Sequence, residues 1–78
     1  MKIIILDLPR EVNKANLNDL FKQFGKIDKC DVVMDTITNK SKGFGFVEMG
    51  DKEGVEAIAK LNGTKFSGKK IRVKIAAK

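Results

Sequence analysis

Apolar and polar positions along the chain follow two different periods. Residues 2–8, Lys-Ile-Ile-Ile-Leu-Asp-Leu, form a short β-branched run closed by Pro9, which suits a buried strand and is too short for a helix. From Asn13 the period lengthens. Leu17, Leu20, Phe21 and Phe24 fall at i, i+3, i+4 and i+7, with Asn13 placed to cap the first turn and Gly25 to stop the last. Alternation returns over 27–34 and sends Cys30, Val32 and Met34 to one face, Lys29, Asp31 and Val33 to the other. The polar stretch 35–42 predicts a turn in which Asn39 takes a left-handed backbone, and a third strand follows over 43–49. Asp51 is expected to cap a second helix carrying Gly54, Ala57, Ile58 and Leu61 on one stripe, with Gly63 ending it. After a connection over 64–68, Ile71, Val73 and Ile75 alternate with Lys70, Arg72 and Lys74 in a fourth strand.

The order βαββαβ predicts an α+β domain of the ferredoxin-like, split βαβ plan. Two helices cover one face of a four-stranded antiparallel sheet, and the opposite face is left open. With 78 residues the chain is expected to hold one domain, spanning 1–78.

Composition narrows the chemistry. Hydrophobic residues make up 42% and charged residues 33%, the balance of a globular domain. No apolar run reaches the ~20 residues that span a bilayer, and residues 3–6 are too short for a signal-peptide core, so no membrane partner and a cytoplasmic location are expected. Cys30 is the lone cysteine and fits a reducing compartment. With no histidine and scattered carboxylates, the chain lacks the usual zinc ligands and the imidazole for acid–base work; no catalytic residue, metal site or cofactor is expected. Sixteen Lys and Arg against ten Asp and Glu give a net charge of +6 and a pI near 9.6, which draws polyanions.

The segment Lys42-Gly43-Phe44-Gly45-Phe46-Val47-Glu48-Met49 matches K/R-G-F/Y-G/A-F-V-x-F/Y everywhere but at its last position. At average residue usage the six matched positions coincide in on the order of one window in a few million. The run also falls on the third strand of the βαββαβ order. In this the chain resembles the RNA recognition motif (RRM) family over residues 2–76, with residues 3–8 where the family's shorter ribonucleoprotein motif belongs. A lone domain of this size is similar to the small single-domain RNA-binding proteins of bacteria.

The resemblance implies a monomeric binder of single-stranded RNA that uses the open face of its sheet. Phe44 and Phe46 would stack on unpaired bases, Lys42 would meet a phosphate, and the packed side would take Gly43, Gly45, Val47 and Met49. Strand alternation sets Arg72 and Lys74 beside the rings, with Lys2 and Ile4 on the first strand, and Lys40 belongs to a loop that in the family often wraps the RNA. Lys14, Lys22, Lys52 and Lys60 lie on the helices and are expected to be solvated.

Three positions depart from the family pattern. Ile4 stands where an aromatic is usual, removing one stacking ring; Met49 replaces the last aromatic but points to the core, where Met fills space well. Asp7 stands where Asn is common, and either weakens phosphate approach or accepts from a base amino group. Two other uses of the same face stay open: a protein-binding or dimer surface built on Ile4, Val33, Phe44 and Phe46, and single-stranded DNA binding through the same stacking. Cations beside the rings favour nucleic acid, since protein interface cores are depleted in Lys.

Overall fold

Every second side chain of the first strand, β1 (Lys2–Leu6), is sealed from water: Ile3 and Ile5 are fully buried, whereas Ile4 and Leu6 are half-buried and Lys2 is exposed. That alternation runs through most of the sheet of this computed structural model, which describes residues 1–39 and 41–77. After β1 come α1 (Lys14–Lys22), β2 (Ile27–Met34), β3 (Ser41–Met49), α2 (Asp51–Leu61), a short hairpin of β4 (Lys65–Phe66) and β5 (Lys69–Lys70), and β6 (Arg72–Ala77). The sheet order is β2-β3-β1-β6, and every neighbouring pair is antiparallel. This is the ferredoxin-like βαββαβ plan.

Leu17 and Phe21 of α1 and Ala57 and Leu61 of α2 close over Ile3, Ile5, Val32, Val47, Met49, Ile71 and Val73 to make one core, with Leu20, Phe24 and Ile58 partly buried at its margin. The first helix starts as its sequence implies. Asn16 donates its N–H to the Asn13 side chain at 2.9 Å, and Asn13 donates its own to the Asn16 side chain at 3.0 Å, a reciprocal cap. Asn39 takes the left-handed backbone, φ 59.

Two glycines of the motif do different jobs. A Cβ on Gly45 would stand 2.6 Å from the Asp31 carbonyl oxygen and 3.0 Å from Leu17 Cδ2, so only glycine lets β2 and α1 close on this point. Gly43 was expected to serve the packed side as well, but a Cβ there would meet only the Leu8 carbonyl oxygen, at 3.7 Å. Its φ of 95 is what calls for glycine.

Other expectations are corrected. The second helix is capped by Gly50 without a side-chain bond, and Asp51 is already its first residue, where with Glu53 it sets negative charge on the positive end of the helix. Met34 and Ile75, expected to face inward, are 41% and 46% exposed. The β2–β3 ladder shifts register between Val32 and Met34, and Ile75 sits on an edge strand with a neighbour on one side only. The connection runs beyond 64–68: with Lys69 and Lys70, the latter expected in the fourth strand, it forms the β4–β5 hairpin. Its central residues Ser67 and Gly68 both have positive φ, 52 and 84, as a type I′ turn requires, and Phe66 packs against the core.

Candidate nucleic-acid interface

The face turned away from the helices is a grid that the strand registers fix. Across its middle run Asp31, Phe46, Ile4 and Lys74, each opposite the next. Toward one end Lys29, Glu48 and Lys2 stand in a row; toward the other Leu6 lies between Phe44 and Arg72. Lys2, Ile4, Phe44, Phe46, Arg72 and Lys74 are therefore brought together as their spacing implied. Lys42 is exposed and precedes the rings at strand spacing, whereas Lys40 lies outside the described residues.

Phe44 and Phe46 meet edge to face, with centroids 6.2 Å apart and planes at 89°. Both rings are half-buried on a face without a covering layer. The Lys2 ammonium sits over the Phe46 ring, 4.7 Å from its centroid, a cation–π contact worth roughly 0.5–1 kcal/mol at an exposed position. Arg72 Nε donates to Asp7 Oδ2 at 2.7 Å. Asp7 reaches that guanidinium from a left-handed backbone, φ 63, just after β1 ends.

Strand parity alone gives the grid's polar end, but Lys29 and Glu48 were not among the expected contacts, and neither was Leu6. With Lys2, Asp31 and Phe46, Lys29 and Glu48 line a shallow pocket of about 80 Å³ beside the Phe46 ring. The Asp7–Arg72 pair joins residues 65 positions apart, and no local pattern announces it. A larger hollow of about 860 Å³ lies between α1 and the hairpin, lined by Glu11, Val12, Asp19, Leu20 and Phe66 among others. Its two carboxylates, Glu11 and Asp19, face a single cation, Lys22, so it does not suit a polyanion.

Two titratable groups are shifted. Burial pushes the Cys30 thiol up, only partly offset by Lys14, so the thiolate is disfavoured and the residue behaves as a small core side chain. The Asp35 carboxyl is held below its ordinary value by the N–H groups of Ile37 and Thr38, which donate to it at 2.8 and 3.2 Å and shape the turn between β2 and β3. On the helices Lys14, Lys22, Lys52 and Lys60 are exposed, and Lys22 pairs with Asp19 at 3.1 Å. Among the described residues no cluster of three or more His, Cys, Asp or Glu is placed to hold a metal, and no helix is long and apolar enough to cross a membrane.

The family model described as RNA recognition motif matches residues 3–72. The chain belongs to the RNA recognition motif family. Among similar proteins, the 29 kDa ribonucleoprotein A, chloroplastic, of Nicotiana sylvestris is 39% identical over 74 residues, covering 94% of this chain and 27% of the relative. The crystal structure of RNA Binding Protein PG1 superposes with a TM-score of 0.93 at 35% identity, covering 100% of this chain and 95% of that one. A Sxl-lethal protein/RNA complex superposes with a TM-score of 0.90 at 27% identity, over 96% of this chain and 47% of that one. The chain spans about a quarter of the length of the curated relatives it matches. Those plant relatives are named as chloroplast proteins, so they lend no support to the expected bacterial and cytoplasmic setting.

Proposed function

We propose that this RRM domain binds single-stranded RNA on its open sheet face, without catalysis. The observation that carries the reading is the pair of half-buried rings, Phe44 and Phe46, on an uncovered face bordered by Lys2, Lys42, Arg72 and Lys74. Apolar rings left at a water-facing surface, with cations beside them, match the two surfaces of an unpaired nucleotide, its base and its phosphate. The names of its relatives, ribonucleoproteins and an RNA complex among them, support the same partner.

Stacking and charge divide the work. Because the rings are perpendicular, each takes its own base, and successive bases are held apart from one another. A base arriving on Phe46 displaces the Lys2 ammonium from the ring, and the ammonium turns to the phosphate that arrives with it. Arg72 keeps its Nε on Asp7 and offers its terminal nitrogens. Ile4, lying between Phe46 and Lys74, gives the base an apolar floor in place of a third ring.

Phe44→Ala and Phe46→Ala should each cost ~1–3 kcal/mol of affinity for a short RNA, measured by fluorescence anisotropy, with the fold kept by circular dichroism. The same titration with DNA of matched sequence tests the 2′-hydroxyl preference. Affinity unchanged in both variants, or a sheet face that only dimerises in sedimentation and leaves RNA unbound, would overturn the reading.

A further inference from the structure

The charge of this chain is not spread evenly. Residues 57–78 hold seven of the sixteen cations and no carboxylate, whereas residues 1–56 hold nine cations against ten carboxylates. Five of those seven, Lys65, Lys69, Lys70, Arg72 and Lys74, belong to the β4–β5 hairpin and β6.

The geometry turns part of that excess into a file. Ile71 and Val73 are buried, so Lys70, Arg72 and Lys74 project together from the other side of an extended segment, spaced about 7 Å apart. Arg72 and Lys74 are opposite Leu6 and Ile4, which places this side on the open face. Lys65 is directly opposite Lys70 in the hairpin and adds a fourth cation at the end of the file. Backbone bonds tie the hairpin to β6: Ile71 donates to the Thr64 carbonyl at 2.9 Å and accepts from Gly63 at 2.9 Å. The hairpin is held at its tip by the Ser67-Gly68 turn and on its inner side by Phe66.

Like charges directly opposite one another destabilise a strand pair. Among the described residues no carboxylate pairs with Lys65 or Lys70, in contrast to Arg72, which has Asp7. A lysine pair at the end of a cationic row, with no carboxylate partner among the described residues, is suited to an anion that comes from outside the chain.

We infer that Lys65 and Lys70 form a phosphate-tracking extension of the sheet site, which carries the backbone of nucleotides beyond those stacked on Phe44 and Phe46. The inference rests on the proposed RNA reading and names the direction the strand takes, off the sheet past β6 and onto the hairpin. The extension reads no bases, because it offers ammonium groups and no ring.

The test is the salt dependence of binding to unstructured RNAs of about 4 and about 14 nucleotides, for the full chain and for Lys65→Gln/Lys70→Gln. Two lost phosphate contacts on a single strand should flatten the log K against log salt slope of the long RNA by about 1.4. The short RNA should bind both proteins alike, and the melting temperature should hold or rise as the lysine repulsion is removed. An unchanged slope for the long RNA overturns the inference. So does an equal loss at both lengths, which would mark a general field. Phe44→Ala/Phe46→Ala run alongside separates the two readings. If it leaves both RNAs bound as before while the lysine variant still loses the long one, the sheet-face proposal fails and the hairpin track stands.

Discussion

The two faces of the sheet are made by the same strands and differ in what they ask of each side chain. On the helix side Ile3, Ile5, Val47, Met49 and Val73 are at most 1% exposed, and even the single hydrogen of Gly45 is a packing requirement. On the other side Ile4, Leu6, Phe44 and Phe46 are half-covered only by their neighbours in the sheet, and charged residues border them. The first face obtains its free energy from removing apolar area from water once, at folding. The second keeps part of that gain in reserve, to be released when something covers it. A domain this small can leave so much apolar surface open because the closed face and its two helices already hold the fold.

The largest expected effect lies on the closed face. Phe21 is fully buried between α1 and the sheet, and Phe21→Ala should cost ~3–5 kcal/mol of stability by urea denaturation, a large part of what so small a domain has. A wild-type transition midpoint would break the distinction between the faces at its centre.

Adding atoms should separate the faces as cleanly as removing them. Gly45→Ala forces a methyl toward the Asp31 carbonyl and should destabilise by ~1–3 kcal/mol. Ile4→Tyr, on the other face of the adjoining strand, should fold normally and tighten RNA binding by about 1 kcal/mol or more through a third stacking ring. If both variants lose stability equally, the open face is more tightly packed than its burial indicates.

The smallest effect concerns Asp7. An exposed ion pair contributes ~0–1 kcal/mol to stability, so Asp7→Asn should leave the melting temperature within a few degrees of wild type. Freed of its carboxylate, Arg72 should then make a full phosphate contact and steepen the salt slope for RNA by a little under one unit. A slope that flattens instead would mean that Asp7 positions Arg72 for binding rather than holding it back.

Much of the site was legible in advance for a plain reason. Where a strand is half-buried, side-chain parity is decided by the chain itself, and Phe44, Phe46, Arg72 and Lys74 reach one face because Val47, Met49, Ile71 and Val73 must reach the other. Parity fails at irregularities. Met34 follows a register shift and Ile75 lies on an edge, and both were placed inward by an alternation that the ladder does not keep there. The β4–β5 hairpin escaped because strands of two residues each are too short to alternate.

What the sequence determined by itself, then, is the local part: the two periods, the Asn13 cap, the left-handed turn at Asn39, and the motif that marks the family. These depend on residues within a few positions of one another, where covalent connection has already restricted the geometry. Only the tertiary structure decided that Asp7 holds Arg72, that Lys2 lies over Phe46, and that Lys65 stands opposite Lys70 at the end of a cationic file. The first two pairs join residues far apart along the chain, and the third rests on a register that two-residue strands do not disclose. Such contacts carry too little energy to leave a pattern in the sequence, and they form where the burial of Ile3, Ile5 and Val73 has brought the strands together.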